Sequence, residues 1–166
     1  MLFLLTALTV TGWGKQVIRV ACVGNSVTYG SGLADRKTQA YPVRLQQMLG
    51  DRYEVSNFGH PGATLLRRGH KPYMRLPEFR EALKFKADWV VIHLGLNDTD
   101  PRNWPNYGSE FIRDYRTLID SFRVSNPNAR IWICLMTPIG DRHPRFQSGT
   151  RDWFAAIQQC IRRIAA

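Results

Sequence analysis

Residues 17–30 read VIRVACVGNSVTYG. Apart from Arg19, positions 17–23 are apolar and largely β-branched, and Gly24 stops the run, so this segment reads as a buried strand. Strands apolar on both faces belong inside a parallel sheet covered by helices. Working outward, 53–58 (YEVSNF) alternates like a strand and ends at Gly59, while 89–94 (WVVIHL) and 129–136 (ARIWICLM) are further apolar runs. Between them, 41–49 carries Val43, Leu45, Met48 and Leu49 at helical spacing with Gly50 as a stop. Residues 76–85 read as a helix opened by Pro77. Residues 111–122 place Ile112, Tyr115, Leu118, Ile119 and Phe122 on one helical face, and 153–164 is a last amphipathic helix. The order β-α-β-α-β-α-β-α predicts an α/β/α sandwich around a parallel sheet. In such folds ligands bind beyond the carboxyl ends of the strands.

The chain has 166 residues, 44% hydrophobic and 22% charged. That is one domain with a sizeable core, and it excludes disorder, collagen-like repeats and a small disulfide scaffold. Lys and Arg number 23 against 13 acids, a formal +10, and 18 of the 23 are Arg. This surplus points to an anionic partner, a membrane surface, or an acidic part that is absent. Residues 1–10 (MLFLLTALTV) form an apolar run too short to span roughly 30 Å of bilayer. With small residues at Gly12 and Gly14, residues 1–14 are expected to be a partial signal peptide lacking its basic start; the alternative, a buried first strand, would be broken by Gly12-Trp13-Gly14 just before the next strand. Residues 15–166 are expected to be the folded domain, exported to the periplasm or outside the cell, with no stable membrane span.

Gly24 permits a sharp turn out of the first strand and leaves Ser26 at the start of the next segment, near free backbone N–H groups. That placement suits a nucleophile, although a helix-capping Ser has the same position. A phosphate loop fails, since Gly24 and Gly30 are one residue too far apart and no Lys follows; the G-x-G-x-x-G pattern is absent too. After the second strand, Gly59-His60-Pro61-Gly62 makes a tight loop with an accessible amide at Gly62. After the third, Gly95-Leu96-Asn97-Asp98 offers a side-chain amide, or alternatively an Asx turn. Together, Ser26, Gly62 and Asn97 converge as a nucleophile with oxyanion donors, the constellation acyl transfer requires.

These segments resemble the first three blocks of the SGNH (GDSL) hydrolase superfamily. Ser26 in Gly24-Asn25-Ser26 matches the nucleophile, Gly62 the oxyanion glycine, and Asn97 in Gly95-Leu96-Asn97-Asp98 the oxyanion asparagine. The likeness runs from about residue 17 to the end. It implies a flavodoxin-like sheet of order 2-1-3-4, a serine esterase working through an acyl-enzyme on Ser26, and no cofactor. Asn25 stands where the family usually has Asp, keeping size and an acceptor oxygen but losing charge. The family's fourth block, Asp-x-x-His after a fifth strand, is missing from the 166 residues. The domain is therefore expected to be C-terminally incomplete, with the fourth strand as an edge. His93 is expected to be packed, His70 solvated, and Asp141-Arg142-His143 has the wrong spacing for the base.

The loop 137–146 is rich in Arg and His. With Tyr29 and the segment 57–64, it resembles bacterial carbohydrate O-acetylesterases, nearest to the sialate O-acetylesterases. His60, Asp98, Arg142, His143 and Arg145 are expected to contact substrate, the arginines through a sugar carboxylate. Alternatives are a lipid or thioester acyl hydrolase of the same superfamily, or a non-catalytic glycan-binding remnant. Nucleic-acid binding ranks far below: residues 67–86 hold seven basic residues against Glu78 and Glu81, but no recognised motif. Cys22, Cys134 and Cys160 are expected to be free thiols, and no cluster has metal-ligand spacing.

Overall fold

The computed structural model describes residues 16–140, 142, 144 and 150–166. The expected export signal over 1–14, and Asp141, His143 and Arg145, lie outside these residues. Four strands form one sheet: β1 (Ile18–Gly24), β2 (Tyr53–Gly59), β3 (Trp89–His93) and β4 (Arg130–Ile133). Their order is β2-β1-β3-β4, with every pair parallel. β1 is the buried centre, with Val20 to Val23 no more than 1% exposed. β4 pairs only with β3 among the described residues, and so forms an edge.

Helices α1 (Ser26–Tyr29), α2 (Arg36–Gln39) and α3 (Tyr41–Leu49) carry the chain from β1 to β2. Helix α4 (Pro77–Lys84) leads into β3. Helices α5 (Trp104–Tyr107) and α6 (Phe111–Ser125) lead into β4, and α7 (Thr150–Ala165) follows it. Right-handed crossovers running outward in both directions from a central strand put helices on opposite faces. On one face, Tyr41 at the start of α3 sits against Cys22. On the other, Ala21, Val23, Val90 and Ile92 pack against Phe79 and Ala82 of α4, Leu118 and Phe122 of α6, and Ile157 and Ile161 of α7. Phe79 and Phe122 meet edge to face at 6.1 Å.

The expected elements form with shifts of a few residues at their ends, and β4 departs furthest. The apolar run predicts a strand to 136, but the strand ends at Ile133. Gln158 of α7 takes Met136 instead: the Met136 N–H donates to Gln158 Oε1 at 3.0 Å, and Gln158 Nε2 donates to the Met136 carbonyl at 3.2 Å. A side chain thus satisfies the backbone groups that a longer strand would have paired.

Register fixes the position of the site. Gly24 lies opposite both Gly59 and His93, so three adjacent strands finish flush. The segments that follow them start from one line.

Candidate active site

At the end of β1, Asn25 is extended (φ −99°, ψ −150°) and fully buried. Its Oδ1 accepts the Val27 N–H at 3.0 Å, capping α1. The acceptor oxygen that Asn shares with Asp is therefore what the turn uses, while Asn25 Nδ2 has no partner. Ser26 opens α1 and is half-buried. Gly24 has no room for a side chain, since a Cβ would overlap the Thr28 side chain and lie 2.8 Å from the His93 carbonyl.

The segment after β2 is tied to this turn. Asn57 Nδ2 donates to the Thr28 carbonyl at 2.8 Å, and the His60 N–H donates to the Gly24 carbonyl at 3.0 Å. A turn from His60 closes through the Ala63 N–H, 3.1 Å from the His60 carbonyl. Gly62 within it has φ +81°, a conformation other residues adopt only with strain. Lys71 lies alongside, donating to the Pro61 carbonyl at 3.3 Å. Nothing in local sequence spacing singled out Lys71.

Asn97, 8% exposed, reaches across from the segment after β3. Its Nδ2 donates to the Ala63 carbonyl at 2.9 Å, so it braces the Gly62 turn and does not cap its own loop. One Nδ2 proton is used there and the other is free for a ligand. Asp98 is a correction. Expected at the substrate, it is fully buried, and its two oxygens accept the Leu65 and Leu66 N–H groups at 2.9 and 2.8 Å. It holds the 60s segment from behind and has no surface to offer a ligand. Burial pushes its carboxyl up to about 7, against the lowering effect of those backbone donors.

Two backbone donors are also unspent: the N–H groups of Ser26 and Gly62 make no hydrogen bond among the described residues. Three donors with free protons therefore come from three mutually braced segments at one end of the sheet. Donors of this kind are what an oxyanion requires if they meet at one point about 3 Å from each.

The three described histidines each have a partner through one ring nitrogen. His60 Nδ1 is 2.9 Å from Glu78 Oε1. His70 is exposed but tethered, with Nδ1 3.0 Å from Asn103 Nδ2. His93 is 7% exposed, its Nε2 is 3.3 Å from the Thr137 hydroxyl, and burial holds its pKa below the usual range. None of the three is hydrogen-bonded to Ser26. Arg142 is exposed. Among the described residues, no group of three His, Cys, Asp or Glu could hold a metal ion, and no helix is long and apolar enough to cross a membrane. Glu78, which sequence reasoning did not place at the site, comes from the first turn of α4.

Comparison with known proteins adds three findings. A family model described as GDSL-like Lipase/Acylhydrolase matches residues 22–166. An acetylxylan esterase of Xylanibacter ruminicola is 49% identical over 109 residues, covering 66% of this chain and 22% of that protein. The chain thus spans about a fifth of that relative's length. Among solved structures, the aryl esterase of M. smegmatis has TM-score 0.68 at 19% identity, covering 90% of this chain and 80% of that one. A carbohydrate acetylesterase family member from Sinorhizobium meliloti has TM-score 0.66 at 21% identity, covering 90% and 78%. At these identities the two structures share the fold.

Proposed function

Because this chain belongs to the GDSL-like lipase/acylhydrolase family, we propose that it hydrolyses O-acetyl esters of a carbohydrate with Ser26 as nucleophile. The observation that carries this reading is the set of unspent donors: the Ser26 and Gly62 N–H groups and the second proton of Asn97 Nδ2. Ser26 Oγ attacks the ester carbonyl carbon, and these donors hold the resulting oxyanion. The tetrahedral intermediate expels the sugar hydroxyl, and water then releases acetate from the acyl-enzyme. The resemblance assigns the proton acceptor to a histidine of an Asp-x-x-His segment, a spacing that does not occur in these 166 residues. None of the described histidines, which meet Glu78, Asn103 and Thr137, is hydrogen-bonded to Ser26.

The acetylated carbohydrate is supported by the acetylxylan esterase relative. The Arg-rich loop 137–146 keeps a carboxylated sugar such as a sialic acid as the finer proposal, and an export signal over 1–14 would put the substrate outside the cytoplasm. Acetate release from acetylated xylo-oligosaccharides and from O-acetyl sialic acid tests both levels. Ser26→Ala is expected to abolish release from whichever is hydrolysed. Undiminished release by that variant would end the serine-esterase reading.

A further inference from the structure

His60 and Glu78 form the one histidine–carboxylate pair among the described residues. They come from different elements: His60 directly follows β2, and Glu78 lies in the first turn of α4. Helix α4 returns the chain from the carboxyl edge of the sheet towards the start of β3, so its first turn stands at the same edge as Ser26. His60 is fixed there twice, by its backbone N–H to the Gly24 carbonyl and by Nδ1 to Glu78. It lies two residues from Gly62, and Gly24 lies two residues from Ser26.

The pair also has a defined polarity. Burial works against the Glu78 charge, but its hydrogen bond and attraction to His60 prevail and hold its carboxyl below the usual range. A carboxylate accepts only, so His60 Nδ1 carries the proton. In the neutral ring this leaves Nε2 as a bare acceptor. His60 is 28% exposed, and Nε2 has no partner among the described residues. The second Glu78 oxygen is buried without a partner, so the imidazole is the side-chain partner of this carboxylate among the described residues.

We propose that Glu78 is a positioning residue that locks His60 with Nε2 as acceptor, and that this nitrogen accepts a hydrogen bond from a sugar hydroxyl beside the ester, the hydroxyl keeping its proton. The inference rests on the esterase reading above and adds to it a basis for preferring hydroxyl-bearing esters over simple acetates. His60 in this role recognises the alcohol part of the substrate and takes no proton from Ser26.

The test uses two probes. One is methyl β-xylopyranoside carrying a single O-acetyl group, whose ester has hydroxyl neighbours. The other is 4-nitrophenyl acetate, which has none. His60→Ala is expected to lower kcat/KM on the sugar by about ten-fold more than on 4-nitrophenyl acetate, the extra loss falling chiefly on KM. Glu78→Gln is expected to cost about three-fold on the sugar alone. Nitrogen NMR supplies a readout that mere structural damage would not give. The natural protein should show His60 protonated at Nδ1 and bare at Nε2, and Glu78→Gln should show mixed tautomers. Equal losses on both probes, an unchanged rate on the sugar, or a proton on Nε2 in the neutral ring would overturn the proposal. Ser26→Ala separates the two claims. Loss of both probes in that variant keeps the esterase reading whatever the His60 variants do, and retention of both removes that reading together with this one.

Discussion

In the proposed mechanism Asn97 has two tasks, and a substitution separates them. Its amide donates one proton to the Ala63 carbonyl, and the other, in that mechanism, goes to the oxyanion. Asn97→Ala is expected to reduce kcat for acetate release by about 10²–10³, the usual loss for one oxyanion donor. A loss confined to KM would instead mark a ground-state contact. Its neighbour Asp98 supplies a prediction in pH. In the folded chain its carboxyl is raised to about 7, against about 3.9 for a free Asp. Between those values the native state keeps a proton that the unfolded chain has released, so this contribution to stability falls as pH rises. It is fully present below about pH 4. His93, whose pKa burial lowers, works the other way below its ordinary value. Comparison with Asp98→Asn, which shares His93, cancels that effect. The Tm difference, natural protein minus Asp98→Asn, should therefore decline steadily from about pH 4 to about pH 7. A flat difference would show Asp98 ionised throughout. The position of Ser26, Gly62 and Asn97 at one end of the sheet is legible because each follows a strand end; their joint role is the proposal. Asp98 was misread because adjacency to Asn97 says nothing of which way a side chain turns. Its partners, Leu65 and Leu66, lie more than thirty residues away.

The four strands and the longer helices were readable from apolar runs and helical spacing, since each is long enough to show its period. Helices α1, α2 and α5, of four residues each, were not, being barely one turn long. The shortened β4 escaped for a different reason. Met136 looks like strand until Gln158 arrives from α7 to take both its backbone groups. That clasp is testable. Met136 is 2% exposed, so Gln158→Ala strands a buried N–H and carbonyl and should cost about 1–3 kcal/mol in urea unfolding. Gln158→Glu keeps the acceptor and loses the donor, and should fall between. Equal stability of all three would mean that water replaces the clasp. The His60–Glu78 pair had a faint signal in the sequence. An acid in the first turn of the helix after β2 must stand at the carboxyl edge, but many such acids only favour the helix terminus.

At the scale of the molecule, the three cysteines are free, and Cys22 lies at the centre of the sheet. Burial pushes its thiol up to about 12, so almost no thiolate is present at neutral pH. A thiol reagent is expected to reach Cys22 only through unfolding, with a labelling rate that tracks global stability in urea. Rapid labelling of Cys22 in native buffer would contradict the buried centre. The parallel order of the sheet also has a kinetic side. Strand β1 is flanked by β2, about 35 residues on, and by β3, about 70 residues on, and loops of that length close slowly. During synthesis Ser26 emerges long before the strand that leads to Asn97, so in the proposed mechanism no partly made sheet holds a working site. Return of the proposed esterase activity after dilution from denaturant should therefore lag behind early collapse and helix formation, and mark the docking of β3 against β1.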